Sequence, residues 1–191
     1  MSALVLDRST ARTLIAFGDE TLELPGRDPT WCARLRDLLA GRRPDLLAVG
    51  LGPGSFAGVR SSIACLQGMG LALGLRPLGF PSAALCALAS GLPEVTVVGD
   101  ARRGTLWAVR FAVGPDAIVQ QGDFHVLARE RFTPAADMVS PDADRLAEFG
   151  LRPVTLTADL LPEALRRLAG ALSEDPAPFY LHPAVGATPA E

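Results

Sequence analysis

The residues best suited to chemistry are a glycine-rich segment and two aspartates at strand ends. The segment Gly52-Pro53-Gly54-Ser55-Phe56-Ala57-Gly58-Val59-Arg60 lies between a short apolar run and a long one. Such a turn lets the backbone bend tightly, or it directs free N–H groups at an anion beyond the helix N-terminus. Asp7 and Asp100 each follow a predicted strand, as carboxylates that hold a metal–phosphate group between two ATPase lobes would. The pattern therefore allows either a phosphate site or a structural turn.

Enzyme motifs fit the segment poorly. Its three glycines are spaced G-x-G-x-x-x-G, one residue longer than the dinucleotide fingerprint, and the next carboxylate in the chain is Glu94. Pro53 stands where a nucleophile elbow has glycine, so we interpret Ser55 as a helix N-cap. Arg60 could clamp an anion or form a salt bridge. Arg8, beside Asp7, brings a long side chain to a place where phosphates need small residues, and this weakens the ATPase interpretation.

The composition narrows the function further. The 191 residues are 49% apolar and carry a net charge of −3 without any basic block, which argues against free-standing nucleic-acid binding. All 18 basic residues are arginine, so a P-loop lysine and a Schiff-base lysine are excluded. No stretch reaches 18 uninterrupted apolar residues, as a membrane span would, and the first residues show no signal-peptide pattern. We expect a cytoplasmic protein without membrane contact.

The cysteines and histidines show no metal-binding spacing. Cys32, Cys65 and Cys86 are odd in number and far apart, as is typical of buried thiols in a reducing compartment. His125 and His182 each stand alone. We therefore predict no metal and no cofactor.

Alternating strands and helices predict an α/β fold. Short apolar runs near the N-terminus indicate an antiparallel meander, and Asp28-Pro29 is expected to begin a helix with Asp28 as N-cap. That helix, Thr30 to Ala40, has an apolar stripe that includes Trp31, Leu35 and Leu38. Further helices are predicted from Ser82 to Ala89, with Ser82 as cap, and around Asp142 to Phe149. A Gly-Leu-Pro segment at 91–93 suggests two lobes, 1–92 and 93–191.

The helix after the glycine segment has almost no polar face. Between Val59 and Leu73 only Arg60, Ser61, Ser62 and Gln67 are polar. A helix that is apolar nearly all round should be covered on both sides. One side would pack on its own sheet, and the other on a further internal element or on another protein.

The glycine segment resembles the signature of the TsaB (YeaZ) family, whose members are subunits of the bacterial machinery that makes N6-threonylcarbamoyladenosine in tRNA. Asp100-Ala101-Arg102-Arg103-Gly104 resembles that family's segment before a hairpin, and Phe179-Tyr180-Leu181-His182-Pro183 resembles its C-terminal tail. The resemblance implies an actin-like, Hsp70-like ATPase fold of two RNase-H-like lobes, with a reduced C-terminal lobe.

The resemblance also implies a non-catalytic role. The family's subunit pairs with the catalytic subunit TsaD, and the ATPase TsaE joins the assembly, so tRNA would be reached only through the complex. The pairing surface is formed by the first two helices of the N-terminal lobe. The partner-binding residues expected on them are Trp31, Leu35, Leu38, Val59, Ile63, Leu66, Gln67 and Gly70. Asp7, Ser9 and Asp100 would form, at most, a vestigial nucleotide site.

Several residues depart from the family pattern. Ala57 replaces a threonine, Arg8 replaces a small residue, His182 replaces the tail arginine and Thr105 replaces an acidic residue. The alternatives to the accessory-subunit hypothesis are an ATPase or hydrolase that uses Asp7 and Asp100, and a homodimeric scaffold that pairs through the same apolar helices.

Overall fold

Two five-stranded mixed β-sheets organise the chain. The computed structural model describes residues 2–182. The first sheet contains β1 (Ala3–Asp7), β2 (Arg12–Phe17), β3 (Glu20–Pro25), β4 (Leu46–Gly50) and β5 (Leu78–Phe80). The second contains β6 (Glu94–Arg102), β7 (Thr105–Val113), β8 (Ile118–Ala128), β9 (Met138–Ser140) and β10 (Arg152–Pro153). The helices are α1 (Trp31–Leu39), α2 (Phe56–Leu73), α3 (Ala83–Ser90) and α4 (Leu160–Leu168), with 3-10 turns at Arg129–Arg131, Ala143–Phe149 and Ala169–Ala171.

The two sheets repeat one topology. The first sheet has the order β3-β2-β1-β4-β5, and the second has the order β8-β7-β6-β9-β10. In each, three antiparallel strands formed by consecutive segments are followed by two strands that pair in parallel. The parallel pairs require crossover connections, and α2, the longest helix of the described residues, lies in the connection between β4 and β5.

The sheets stack with helices between them. Side chains alternate along β1, so Val5 faces the layer between the sheets while Leu4 and Leu6 face the opposite side. The layer between the sheets is filled by α3 and α4, and its apolar core includes residues from both sheets. The opposite side of the first sheet packs against α1 and α2. Because one core joins both sheets, the division into lobes at residues 92 and 93 stays a prediction.

The outer side of the second sheet is covered far less. Its small apolar cluster is centred on Val98, Leu106, Leu146 and Leu151. The segment Ala143–Phe149, which the sequence predicts as part of a helix, is a 3-10 element with a kink at Leu146. The first sheet thus carries two α-helices on its outer side, whereas among the described residues the second carries only this element.

Two predicted helix caps are wrong. The Asp28 carboxylate accepts hydrogen bonds from the backbone N–H and the hydroxyl of Thr30, at 2.7 and 2.6 Å, and α1 begins only at Trp31. Asp28 therefore closes a local turn before the helix. Ser82 precedes α3 but does not cap it, because its hydroxyl donates to Asp7. Ser55 does cap α2, and its Oγ accepts from the Gly58 N–H at 3.2 Å.

One side of α2 is buried and the other is open. Gly58, Val59, Ser62, Ile63, Leu66 and Gly70 are buried on its inner side. Of the helices in residues 2–182, α2 alone has the length and apolar composition of a membrane span, a test that core helices of globular proteins also pass. Its inner side packs on the first sheet as such a core helix does.

A pair of leucines on α2 tests this asymmetry. Leu66 is 0% exposed and Leu71 is 89% exposed. We expect Leu66→Ala to lower the free energy of unfolding by about 2–5 kcal/mol, since it leaves a cavity against the sheet. Leu71→Ala should change it by no more than about 0.5 kcal/mol. Urea titration followed by circular dichroism measures both, and equal losses would contradict the one-sided burial of α2.

Candidate functional site

The carboxyl end of β1 holds a fully buried aspartate. Asp7 Oδ1 accepts hydrogen bonds from the backbone N–H and the hydroxyl of Ser9, at 2.9 and 2.7 Å. Its Oδ2 accepts from the Ser82 hydroxyl, and Ser82 Oγ in turn accepts from the Gly52 N–H at 2.9 Å. The carboxylate therefore joins β1, the start of α3 and the glycine segment.

Burial dominates the ionisation of Asp7. Desolvation raises the pKa of this carboxyl, and the hydrogen bonds from Ser82 and Ser9 lower it by less. The donors are all neutral groups, so they satisfy the oxygens without supplying a compensating charge. The arrangement is that of a structural anchor for two loops.

The glycine segment lies directly against the β1–β2 loop. The Ser55 N–H donates to the Ser9 carbonyl at 2.6 Å. A Cβ at Gly54 would lie 2.1 Å from that carbonyl oxygen, and one at Gly58 would lie 2.1 Å from the Arg8 carbonyl oxygen. Only glycine permits this approach. The N–H groups of residues 52, 55 and 58 donate to acceptors within the protein, so these three are not free to bind a phosphate.

Arg8 points away from this loop pair, and the expectation that it crowds a phosphate site is wrong. Successive side chains of a strand lie on opposite sides of the sheet, so Arg8, the residue after β1, lies on the side opposite Asp7. Its guanidinium donates to Thr13 Oγ1 at 2.9 Å, to Ser61 Oγ at 2.6 Å and to the Gly26 carbonyl at 2.8 Å. It also lies 4.2 Å from the centre of the Trp31 ring. Arg8 thereby links the start of α1 to α2.

Asp100 lies in the hairpin between β6 and β7. Its carboxylate accepts from the backbone N–H and the guanidinium of Arg102, both at 2.9 Å. Arg102 and Arg103 have positive φ angles of 67° and 52°, a backbone region that arginine seldom adopts. The hairpin forms one wall of a cleft of about 970 Å³, and the glycine segment forms another. Asp7 does not line this cleft, so the three residues of the possible nucleotide site are not brought together on its wall.

The C-terminal segment crosses the cleft. The Phe179 N–H donates to the Leu51 carbonyl at 3.0 Å. His182 Nε2 lies 3.0 Å from the Ala101 carbonyl oxygen and 3.2 Å from Thr105 Oγ1. The two family departures His182 and Thr105 are therefore in contact, so a histidine and a threonine stand where the pattern of the resembling family has arginine and an acid. Pro183, the last residue of the resemblance, lies outside the described residues.

The structure places the expected partner-binding residues in two groups. Leu35, Val59, Ile63, Leu66 and Gly70 are buried, and a Cβ at Gly70 would lie 2.5 Å from the Leu75 carbonyl oxygen. Trp31 and Leu38 are half-buried, and Gln67 is exposed. The first five pack inside the chain, so they cannot contribute the surface that a partner touches. Partner binding by the other three stays a prediction.

Of the residues on the open side of α2, the sequence predicted only Gln67 as partner-binding. This outer face, as we call it, consists of Ala57, Arg60, Ala64, Gln67, Gly68 and Leu71, all exposed. They recur three or four residues apart, on the side opposite Val59 and Leu66. The same spacing was available in the sequence, but both sides of α2 are apolar and the pattern alone does not tell which one meets the sheet.

The described residues show no arrangement typical of a hydrolase. Within residues 2–182, no hydrogen bond joins a histidine to a serine, a cysteine or a carboxylate. Cys86 is buried, Cys65 is half-buried and Cys32 is exposed. No three His, Cys, Asp or Glu side chains of this part of the chain lie close enough to hold a metal ion.

Solved structures resemble this chain over nearly its whole length. An uncharacterised Pseudomonas aeruginosa protein with similarity to peptidase YeaZ is 26% identical, with 95% of this chain and 99% of that one covered and a TM-score of 0.74. The chain is YeaZ-like. YeaZ from Pseudomonas aeruginosa has the same TM-score at 23% identity, over 94% of this chain and 100% of its own, which shows the shared fold. No protein-family model and no curated protein matches the chain.

The predicted resemblance to the TsaB (YeaZ) family is thus confirmed. The word peptidase belongs to the description of the Pseudomonas protein, and neither structure establishes an activity for this YeaZ-like chain.

Replacing the buried carboxyl tests its structural role. Because the folded-state pKa of Asp7 is raised above its unfolded value of about 3.9, the folded state binds more protons between the two values. Stability is therefore lost as the pH rises through that window. Asp7→Asn stays neutral, so its stability should depend less on pH there and should equal or exceed the parent's at pH 7.

Asp7→Ala provides the contrast. It leaves the Ser9 and Ser82 donors without an acceptor and should cost about 1–3 kcal/mol at every pH. Thermal unfolding of the three proteins between pH 4 and pH 8 measures both effects. If Asp7→Asn were as destabilising as Asp7→Ala at pH 7, the protein would need the negative charge, and the anchor role would be contradicted.

Proposed function

We propose that this chain is a non-catalytic accessory subunit that binds and activates a TsaD-type partner in the synthesis of tRNA N6-threonylcarbamoyladenosine. The YeaZ-like fold over 95% of the chain supports the family-level part of the proposal. The outer face of α2 is the observation that carries the pairing role. TsaE would join the same assembly, and the protein would work in the cytoplasm.

The repeated strand order supports a finer description of the fold. We infer an actin-like, Hsp70-like architecture in which each sheet is the centre of an RNase-H-like lobe. The order β3-β2-β1-β4-β5 and its counterpart in the second sheet support this inference. The short 3-10 element on the outer side of the second sheet fits a reduced C-terminal lobe.

The outer face of α2 has the properties of a helix-docking surface. Small residues at Ala57, Ala64 and Gly68 leave room for another backbone to approach, and Leu71 extends into solvent with 89% of its surface exposed. Single exposed apolar residues are common, but a row of small and apolar side chains along a helix, here interrupted by Arg60 and Gln67, suits packing against another helix. Arg8 fixes α1 beside this face through the Trp31 ring and Ser61.

The contacts of the possible nucleotide site give the ATPase or hydrolase alternative no support. Asp7 accepts three hydrogen bonds inside the protein, and the N–H groups of Gly52 and Gly58 donate to protein acceptors. Asp100 is paired with Arg102. A homodimer remains a second candidate, since the apolar outer face could pair with itself when the partner is absent.

Two exposed apolar residues on different sides of the molecule give a matched test of docking. Leu71 lies on the outer face, and Val119, 53% exposed, lies on edge strand β8. We expect Leu71→Asp to weaken the complex with a purified TsaD homologue about tenfold or more, because a charge would be buried in the interface. Val119→Asp should change the affinity by less than about twofold. Isothermal titration calorimetry measures both dissociation constants.

The result also separates the alternatives. If Leu71→Asp leaves the dissociation constant unchanged, the interface lies elsewhere on the molecule. If the parent chain does not bind the TsaD homologue, the proposed function is refuted. Analytical ultracentrifugation of the chain alone, with and without Leu71→Asp, determines whether the same face supports a homodimer.

A further inference from the structure

We propose that the cleft between the two sheets binds a single-stranded segment of RNA directly. This inference rests on the proposed function, because that function brings the protein to tRNA. It departs from the expectation that tRNA is reached only through the complex. The cleft is bounded by the glycine segment and the β6–β7 hairpin, and Asp7 does not line it.

Aromatic rings line the cleft and remain open to solvent. Phe56 at the start of α2 and Tyr180 in the C-terminal segment are each 61% exposed, and their ring centres lie 6.3 Å apart at an angle of 52°. Phe179, also on the wall, packs on Phe124 at 4.8 Å. Exposed aromatic rings beside a groove are the platforms on which unpaired bases stack. Phe56 and Tyr180 belong to different parts of the fold and meet only at this cleft.

The charge of the wall is positive although the chain as a whole carries −3. Three arginines and one acidic residue line the cleft: Arg60, Arg102, Arg103 and Asp100. Arg102 and Asp100 form a salt bridge of 2.9 Å, so their charges neutralise each other. Arg60 lies 4.9 Å from the centre of the Phe56 ring. Within residues 2–182, neither Arg60 nor Arg103 forms a salt bridge, so two cations remain for phosphate contacts.

The backbone holds the two hairpin arginines at the cleft. Arg102 and Arg103 have positive φ angles of 67° and 52°, and Gly104 follows with 74°. Non-glycine residues in this region are held there by their surroundings, and they concentrate at binding sites. Here the Asp100 carboxylate fixes Arg102 through its backbone N–H and its guanidinium. The hairpin thereby presents Arg103 next to the aromatic wall.

The arrangement favours a polymer over a free nucleotide. A free nucleotide needs a cradle for its phosphates, and three N–H groups of the glycine segment, those of residues 52, 55 and 58, already donate to protein acceptors. The cationic groups are spread along an open cleft, which suits a backbone with successive phosphates and bases that stack. Arg60 lies on both the cleft and the outer face of α2, so RNA in the cleft would continue toward a docked partner.

The experiment measures RNA binding by the full chain without a partner, so it stays interpretable if the pairing role fails. Fluorescence anisotropy with an unmodified tRNA transcript and with a single-stranded RNA of about eight nucleotides is followed at several salt concentrations. We expect the double variant Arg60→Ala/Arg103→Ala to weaken binding about tenfold and to reduce the salt slope by about one per arginine. Tyr180→Ala should weaken binding about fivefold or more without changing that slope.

A matched double variant controls for net charge. Arg131 and Arg145 are exposed and do not line the cleft, so Arg131→Ala/Arg145→Ala should leave both affinity and slope nearly unchanged. The proposal is overturned if the parent binds neither RNA, if both double variants weaken binding equally, or if ATP displaces the RNA at concentrations near the RNA dissociation constant. The last outcome would identify a free-nucleotide site.

Discussion

The buried carboxylate of Asp7 is the interaction on which the arrangement of the N-terminal half depends. Through Ser9 it closes the β1–β2 loop, and through Ser82 it joins the start of α3 to the Gly52 N–H. The glycine segment is thereby held against the β1–β2 loop, and the direction in which α2 leaves the segment follows from that contact. Asp7 thus contributes to the orientation of a helix.

That orientation leaves α2 with two very different sides. The inner side completes the apolar layer on the first sheet, while the outer face presents small and apolar residues to solvent. Arg8 lies on the same side of the sheet and links α1 to α2 through its contacts with Trp31 and Ser61. Packing on the sheet accounts for the apolar residues of the inner side. The small and apolar residues of the outer face are left as a surface that a partner could cover.

The α/β character and most strands could be predicted, because strong apolar runs between glycine and proline turns determine them. The start of α1 could not be predicted, because Asp28 and Thr30 are both residue types that cap helices. The turn that Asp28 forms with Thr30 determines that the helix begins after Thr30. The missing cap at Ser82 could not be predicted either, because its hydroxyl donates to a carboxylate 75 positions away along the chain. Most residues of the outer face were not predicted to bind a partner, because an all-apolar helix carries no signal of which side its sheet covers.

The central claim is that the outer face of α2 contacts a TsaD-type protein. A photo-reactive amino acid placed at Gln67 or, as control, at Val119 tests it directly, and it suits a chain without lysine, which amine-directed cross-linkers cannot use. With a purified TsaD homologue, the claim predicts covalent cross-links from position 67 and none from position 119. Cross-links from position 119 alone, or from neither position in a complex that forms, would contradict it.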